Sequence, residues 1–243
     1  MEVSLYSAAA AMNATERWQD LIADNLSSAN VPGTRRRDIV FSAVPAGHLG
    51  TNGDPLVIPF AGSAVNFAQG ELARTGNNMD FAIEGQGFIA IQMLDGSKAY
   101  TRNDQFQLNS TGQLVTKHGY PVASEGGTLQ FDPNNPAPIN VSANGEVSQG
   151  SDIKGKISLV EFAKPSQLTM LGGGLFRNDQ NLQPKDTMES KIRQGFIENS
   201  STSPTSAMAS IITAMRMFES NEKVMQMQND RMGKTIADLS GTN

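Results

Sequence analysis

Cysteine is absent from this 243-residue sequence, which also has one tryptophan, two histidines and no apolar run approaching the length of a membrane span. The first absence excludes disulfides, thiolate metal sites and cysteine nucleophiles together, without fixing a compartment. Charged residues make up 18% and the net charge is −5, so the basic footprint of a nucleic-acid binder is missing. The one basic cluster, Arg35-Arg36-Arg37 followed by Asp38, reads as a solvated or ion-paired face rather than a phosphate grip. His48 and His118 have no His, Glu or Asp at metal-ligand spacing around them. Neither a G-x-S-x-G elbow nor a P-loop occurs. Asp80, Glu84, Asp95 and Glu125 fall at strand edges and turns, where spacing alone brings no two of them onto one substrate. No catalytic, cofactor-binding or metal-ligating residue is therefore assigned, and the chain is read as a non-enzyme. The N-terminus, MEVSLYSAAAAM, carries Glu2 where a secretory leader would be basic, so any export is expected to proceed without a cleaved signal.

One stretch argues the other way. Gly85-Gln86-Gly87-Phe88-Ile89-Ala90 has the spacing of a dinucleotide-binding fingerprint, whose mechanism needs a strand before the glycines and a helix after them. Met79, Phe81 and Ile83 alternate with polar or small residues as a half-buried strand does. Downstream, Ile89, Ile91 and Met93 alternate as well, up to Asp95-Gly96. The fingerprint thus lacks its helix, and the glycines are read as a three-residue hairpin loop needing positive φ.

What the chain has in quantity is turns and two amphipathic ends. Leu5, Ala8, Met12, Thr15, Gln19, Ile22 and Leu26 step by three and four, a thin heptad seam that should stop near Asn30, before Val31-Pro32-Gly33. Ser203-Pro204 is a helix start signal. Beyond it Met208, Ile211, Met215, Phe218, Glu222, Met225, Asn229, Met232, Ile236 and Leu239 keep the same stepping, predicting a helix to Leu239. Six of the twelve methionines lie here, at 208, 215, 217, 225, 227 and 232. Met217 and Met227 are off the seam, so the apolar face is wider than one partner helix needs.

Between the ends, Gly-, Asn- and Asp-rich turns punctuate short runs such as 106–108, 114–116 and 157–162, the pattern of antiparallel hairpins in a small sandwich or barrel. The fold expected is mixed α and β, with terminal helices pairing as an antiparallel coiled coil and a central all-β antiparallel domain. Residues 1–33 are the N-terminal helical half, 34–69 an extended connector with weak strand signals, 70–195 the β domain and 196–243 the C-terminal helical half.

Several motifs carry a resemblance. Near the N-terminus, Asn25-Leu26-Ser27-Ser28-Ala29-Asn30-Val31-Pro32-Gly33-Thr34-Arg35 is one, with Asn25, Pro32 and Gly33 as its turn. In the middle stand Gly70-Glu71-Leu72, the block Met79 to Phe88 containing Asp80, Gly85, Gly87 and Phe88, and Tyr100-Thr101-Arg102. Gly195-Phe196-Ile197-Glu198-Asn199-Ser200 and Arg216-Met217-Phe218-Glu219 complete the set. Together they resemble, over nearly the whole length, the flagellar basal-body rod proteins of the axial family that also includes the hook protein. Val31 and Thr34 replace the usual threonine and aromatic residue, Asn103-Asp104-Gln105 replaces an Asp-Gly turn, and Ser201-Thr202-Ser203 replaces Asn-Val-Asn. The Arg-x-Phe-Glu form and short length lean to the proximal-rod branch over the distal.

The resemblance implies a structural subunit with no cofactor, exported unfolded by the flagellar export apparatus. It implies polymerisation in the periplasm with copies of itself and other rod subunits, to transmit torque between motor and hook. The expected assembly residues are Leu5, Met12, Ile22, Leu26, Met208, Ile211, Met215, Phe218, Met225, Met232 and Leu239. Neither nucleic acid nor a membrane span is expected. Three classes of reading stand: an axial subunit of rod or hook type, a secreted β-domain adhesin with a stable monomer, and a nucleotide-dependent enzyme. The first predicts termini that order mainly on assembly, because a two-helix seam carrying Thr15, Gln19, Glu222 and Asn229 is marginal alone. Phe218→Asp is expected to block incorporation, with Gly33→Val milder but harmful if residue 33 has positive φ.

Overall fold

A computed structural model describes residues 2–48, 55–103, 105–124, 126–186 and 189–241; for 2–5, 43–48, 55–59, 239 and 240 it describes the backbone alone. The chain forms two compact units. One comprises 1–27, 37–65 and 203–243, the other 28–36 and 66–202.

The first unit is built from two helices and a hairpin. Helix α1 spans Glu2–Ser27 and helix α2 Pro204–Ser240, so both seams predicted from the stepping do form helices. Ser203 caps α2 by accepting from the Ser206 amide, with Pro204 in the first turn, where its missing N–H costs nothing. Ile22, Ala207 and Ala214 form a buried cluster, flanked by Trp18, Leu26 and Ile211. The last turns of α1 thus pack on the first turns of α2. Thr15 is buried without penalty because its hydroxyl donates back to the carbonyls of Ala11 and Met12, both at 2.8 Å.

Residues 34–69, expected as an extended connector, instead contain two long strands, β1 (Arg37–His48) and β2 (Pro55–Val65), paired antiparallel from Arg37↔Val65 to His48↔Pro55. Pro45, Pro55 and Pro59 weaken the strand signal in the sequence. A two-stranded sheet has an unpaired edge on each side, however, and tolerates prolines there. The second face of α1 meets this hairpin. Trp18 meets Phe41 edge-on at 5.9 Å, and the Arg17 guanidinium lies over the Phe60 ring at 5.5 Å.

The second unit is antiparallel throughout. Its short strands include β3 (Leu72–Arg74), β4 (Phe81–Glu84), β5 (Phe88–Gln92) and β6 (Lys98–Thr101). Among the described residues the largest sheet has six strands, in the order Thr169–Gly172, Leu175–Arg177, β6, β5, Leu159–Glu161 and Lys185–Asp186. Among the described residues its last strand has two residues, and the other sheets of the unit have two or three strands each, joined by isolated bridges such as Ile91↔Val122 and Ser124↔Ile157. Strand β3 pairs with Phe196–Glu198 and β4 with Lys191–Gln194. Phe81, Ile83, Ile89, Ile91, Leu114, Leu129, Phe131, Val147 and Ile157 form the core beneath. The predicted runs 106–108 and 114–116 are a hairpin around Gly112, and Asp95-Gly96 closes β5 onto β6.

The Gly85-Gln86-Gly87 stretch is not the hairpin loop expected. Its flanking strands do not pair with each other, since β4 joins Lys191–Gln194 while β5 joins β6 and Leu159–Glu161. The stretch is a corner between two sheets. A sequence signals strand, turn and strand in either case, and pairing is settled only by the remote partner strands.

Candidate assembly surfaces and the motif cluster

The N-terminal motif holds a turn by three separate devices. Asn25 acts as a surrogate strand, its side-chain amide donating to the Arg37 carbonyl (2.7 Å) and its oxygen accepting from the Arg37 amide (2.9 Å). Pro32 and Gly33 occupy the two central positions of a turn closed by the Thr34 amide on the Val31 carbonyl (3.3 Å). Gly33 has φ +71°, as the third residue of a type II turn requires. The site adds a second demand, because a Cβ there would fall 2.2 Å from the Arg102 carbonyl oxygen. The Gly33 amide itself donates to the Glu198 carbonyl at 2.8 Å.

Beneath this turn lies a buried ionic cluster that the sequence shows only in pieces. Glu198, fully buried, takes Arg35 Nη1 on Oε1 at 2.6 Å and Arg35 Nη2 on Oε2 at 3.3 Å. Its Oε1 also accepts from the Gly70 amide at 2.6 Å, and its Oε2 from Arg102 Nε and Nη2 at 3.4 and 3.3 Å. Arg35 and Arg102 are buried as well. One carboxylate therefore faces two guanidiniums, and carbonyl dipoles meet the remaining positive charge. Arg102 donates to the oxygens of Gly87 (2.6 Å) and Gly85 (2.7 Å), and Arg35 to that of Ala68 (2.7 Å). The Phe88 ring lies 5.6 Å from the Arg102 guanidinium.

The role of the glycine corner follows from these bonds. The carbonyls of its two glycines cradle an internal cation, while the two glycine amides, groups a pyrophosphate would need, are engaged within the protein. Gly85 donates to Gln69 Oε1 (3.2 Å) and Gly87 to Ser190 Oγ (2.9 Å), whose hydroxyl in turn donates to Glu161 Oε1 (2.6 Å). Gly85 has φ +118°, and a Cβ there would meet Ser190 Oγ at 2.5 Å.

The remaining β-domain motif residues brace the same unit. Asp80 accepts from Thr75 Oγ1 (2.6 Å) and Asn77 Nδ2 (3.1 Å), and its carbonyl from the Gly195 amide (2.8 Å). Tyr100 meets Phe162 edge-on at 4.8 Å, and burial raises its phenol above the ordinary value. Within the basic run, Arg35 is buried and ion-paired with Glu198, Arg36 is half-buried, and Arg37 pairs with Asp24. On the exposed sheet edge, a hydrogen bond from Arg193 holds the Glu84 carboxyl below its usual range. Asp104 and Glu125 lie outside the described residues, as do the side chains of His48, Leu5 and Leu239.

The helices place the expected assembly residues unevenly. In α1, Ile22 is buried and Met12 and Leu26 are half-buried. Along α2 the less exposed row is Ala207, Ile211, Ala214, Phe218, Asn221, Met225, Gln228, Met232 and Thr235. Ile211, Phe218, Met225 and Met232 lie in this less exposed row. Met208, Met215, Glu222, Asn229 and Ile236 do not: each stands one position past it and is exposed. Every second seam position is small or polar; at 207, 214 and 235 a hydropathy reading steps over it to the apolar residue alongside, and the strict spacing from these carries Glu222 and Asn229 with it. Small residues at 207 and 214 let the helices approach closely, which a methionine there would prevent.

Sequence reasoning missed Glu198, Gly70 and Ala68 as parts of one cluster. The available signal was an acidic residue ending the apolar run Phe196-Ile197, since a strand facing a core places a charge only where a counter-charge waits.

Arg102→Lys should lower the unfolding free energy of the β unit by about 3 kcal/mol in urea titration, because an ammonium cannot span both glycine carbonyls and Glu198. Gly33→Val should be at least as damaging to the β unit as Arg102→Lys: the positive φ that made it harmful in the sequence reading is present, and a collision with main-chain atoms adds to the backbone strain. The same titration checks it.

Comparison with known proteins converges on these segments. A family model for the flagellar hook protein FlgE/F/G D1 domain matches residues 82–149, which hold the glycine corner and Arg102. A second, for the flagellar basal body rod FlgEFG protein C-terminal region, matches 193–239, which hold Glu198 and most of α2. The chain is 34% identical to the flagellar basal-body rod protein FlgF of Caulobacter vibrioides, covering 93% of both chains. It is 33% identical to FlgF of Mesorhizobium japonicum over 99% of this chain and 100% of that one. With the rod protein FlgG of Bacillus subtilis it shares 30% identity over 96% of this chain and 97% of the other. The chain belongs to the flagellar basal-body rod protein family, as a structural protein of the flagellar basal body and not an enzyme.

Proposed function

We propose that this rod protein polymerises through α1 and α2 with copies of itself and with other rod subunits, extending their pairing into an antiparallel coiled-coil bundle that transmits torque between motor and hook. In this reading residues 1–33 and 196–243 are the two halves of the axial core. The chain passes the export apparatus unfolded, without a cleaved signal, and assembles in the periplasm on the proximal side of the rod.

The observation that carries the reading is the apolar surface left on the outside of α2. Met208, Ile212 and Met215 are each more than half exposed, and Met217, Val224 and Met227 are exposed too. At about 100° per residue, Met208, Ile212 and Met215 fall on one flank of the seam and Met217 and Val224 on the other. A helix that pairs with α1 on one side and stays apolar on two more is suited to neighbours on both flanks. Each such side chain gains about 1.5–3 kcal/mol when fully buried, and methionine adapts to uneven neighbours. Beyond Phe218 the less exposed row alternates methionine with Asn221, Gln228 and Thr235, so the distal half of α2 is the part that gains most order on assembly.

Two substitutions separate assembly from folding. Ile212→Asp, on the outer flank, should leave monomer helicity and melting within about 0.5 kcal/mol of the parent yet abolish incorporation and swimming. Phe218→Asp, on the seam, should destabilise the helical unit itself by about 3 kcal/mol, seen as lost ellipticity at 222 nm. Normal motility with Ile212→Asp would remove the basis for the outer flanks as assembly surfaces.

A further inference from the structure

Sulfur in this chain is thioether sulfur alone, in twelve methionines and no cysteine. Methionine is therefore its main target for two-electron oxidation, and reaction at each site follows the access an oxidant has to the sulfur. That access is uneven. Met79 and Met93 pack against the β core, and Met12 and Met170 are half-buried. Among the described residues the exposed methionines are Met208, Met215, Met217 and Met227, at 57, 53, 44 and 61% exposure, and all four lie on α2. Met208 and Met215 stand on one flank of the seam and Met217 on the other, with Met227 about three turns further along.

We propose that these four methionines are a modification site whose oxidation state controls assembly: peroxide converts them to sulfoxides in the unassembled chain and so keeps it out of the rod, whereas a subunit already in the rod is shielded. The proposal rests on the docking of α2 through its flanks. The sulfur lone pair attacks one oxygen of the peroxide and the O–O bond breaks. One oxygen stays on sulfur and the other leaves as water, so that sulfur loses two electrons and the peroxide gains them. A flexible apolar side chain then ends in a hydrogen-bond acceptor, and burying an acceptor without a donor costs free energy. The neighbours on these flanks are apolar, Ile212 beside Met208 and Met215 and Val224 beside Met217, so a surface that fits them offers a sulfoxide no donor. Each buried sulfoxide should weaken docking about ten-fold. The chain has no thiol with which to reverse the change. Recovery needs an external dithiol, which becomes a disulfide while the oxygen leaves as water.

Peroxide treatment of the full-length unassembled protein and of isolated basal bodies tests the shielding, with each site read by peptide mass as a gain of about 16 Da per oxygen. All four sites should oxidise in the free chain and about ten-fold more slowly in basal bodies; equal rates overturn the proposal. Substitution tests the consequence in cells lacking the parent protein. Met208→Gln, Met215→Gln, Met217→Gln and Met227→Gln together place a polar acceptor near each sulfoxide position at little cost in helix propensity. This variant should be absent from basal bodies and leave the cells non-motile. Leucine at the same four positions keeps the apolar surface and should assemble as the parent does. Incorporation of the glutamine variant at the parental level overturns the proposal, as does exclusion of the leucine variant, since polarity is then not what decides. Ile212→Asp separates the two readings. If it is excluded while the glutamine variant enters, flank docking stands and the oxidation site alone fails; if both enter, the docking fails with it.

Discussion

A carboxylate removed from water between two guanidiniums is tolerable only when nearly every lone pair and proton has a partner, and at Glu198 that condition shapes its surroundings. Both oxygens are used, by Arg35, Arg102 and the Gly70 amide. The positive charge left over is turned toward the carbonyls of Ala68, Gly85 and Gly87. For those carbonyls to reach the guanidiniums, the backbone must come unusually close. The glycines follow from this: Gly33 lies against the Arg102 main chain, Gly70 against Asn199 and Gly85 against Ser190. One electrostatic requirement thus accounts for residues spread from position 33 to 198.

The helical unit follows a different rule. Helix α1 is flanked by α2 and by the hairpin, and buries Ala14 and Asn25 in addition to its seam residues Ala8, Thr15 and Ile22. Helix α2 has an apolar seam near its start and a mixed one beyond Phe218, with methionine left in solvent on both flanks, beside Ile212 on one and Val224 on the other. In the β unit the exposed large apolar residues, such as Leu94 and Ile153, stand far apart in sequence; on α2 they recur turn after turn. An isolated exposed leucine is ordinary, whereas a helix with repeated exposed methionines is built for contact.

Much of this was legible in the chain. Three-four stepping and the Ser203-Pro204 start marked both helices, and the turn residues marked hairpins such as that around Gly112. These are local signals, set by backbone geometry within a few residues. The hairpin at 37–65 was not legible, because prolines suppress strand propensity and only pairing across its length sustains it. The α2 seam differs by one residue at alternate positions, because at 207 and 214 hydropathy favours the adjacent methionine over the alanine that close packing selects, and the spacing carries that offset along the helix.

By itself, then, the sequence determined where the chain is helical, where it turns, and that the glycine fingerprint lacks its helix, since each rests on neighbours a few residues apart. Tertiary structure alone decided that the same glycines form a corner rather than a hairpin, and that Arg35, Arg102 and Glu198 share one buried site. Charge pairing acts through space, over chain separations of 96 and 163 residues, and leaves no periodicity along the chain.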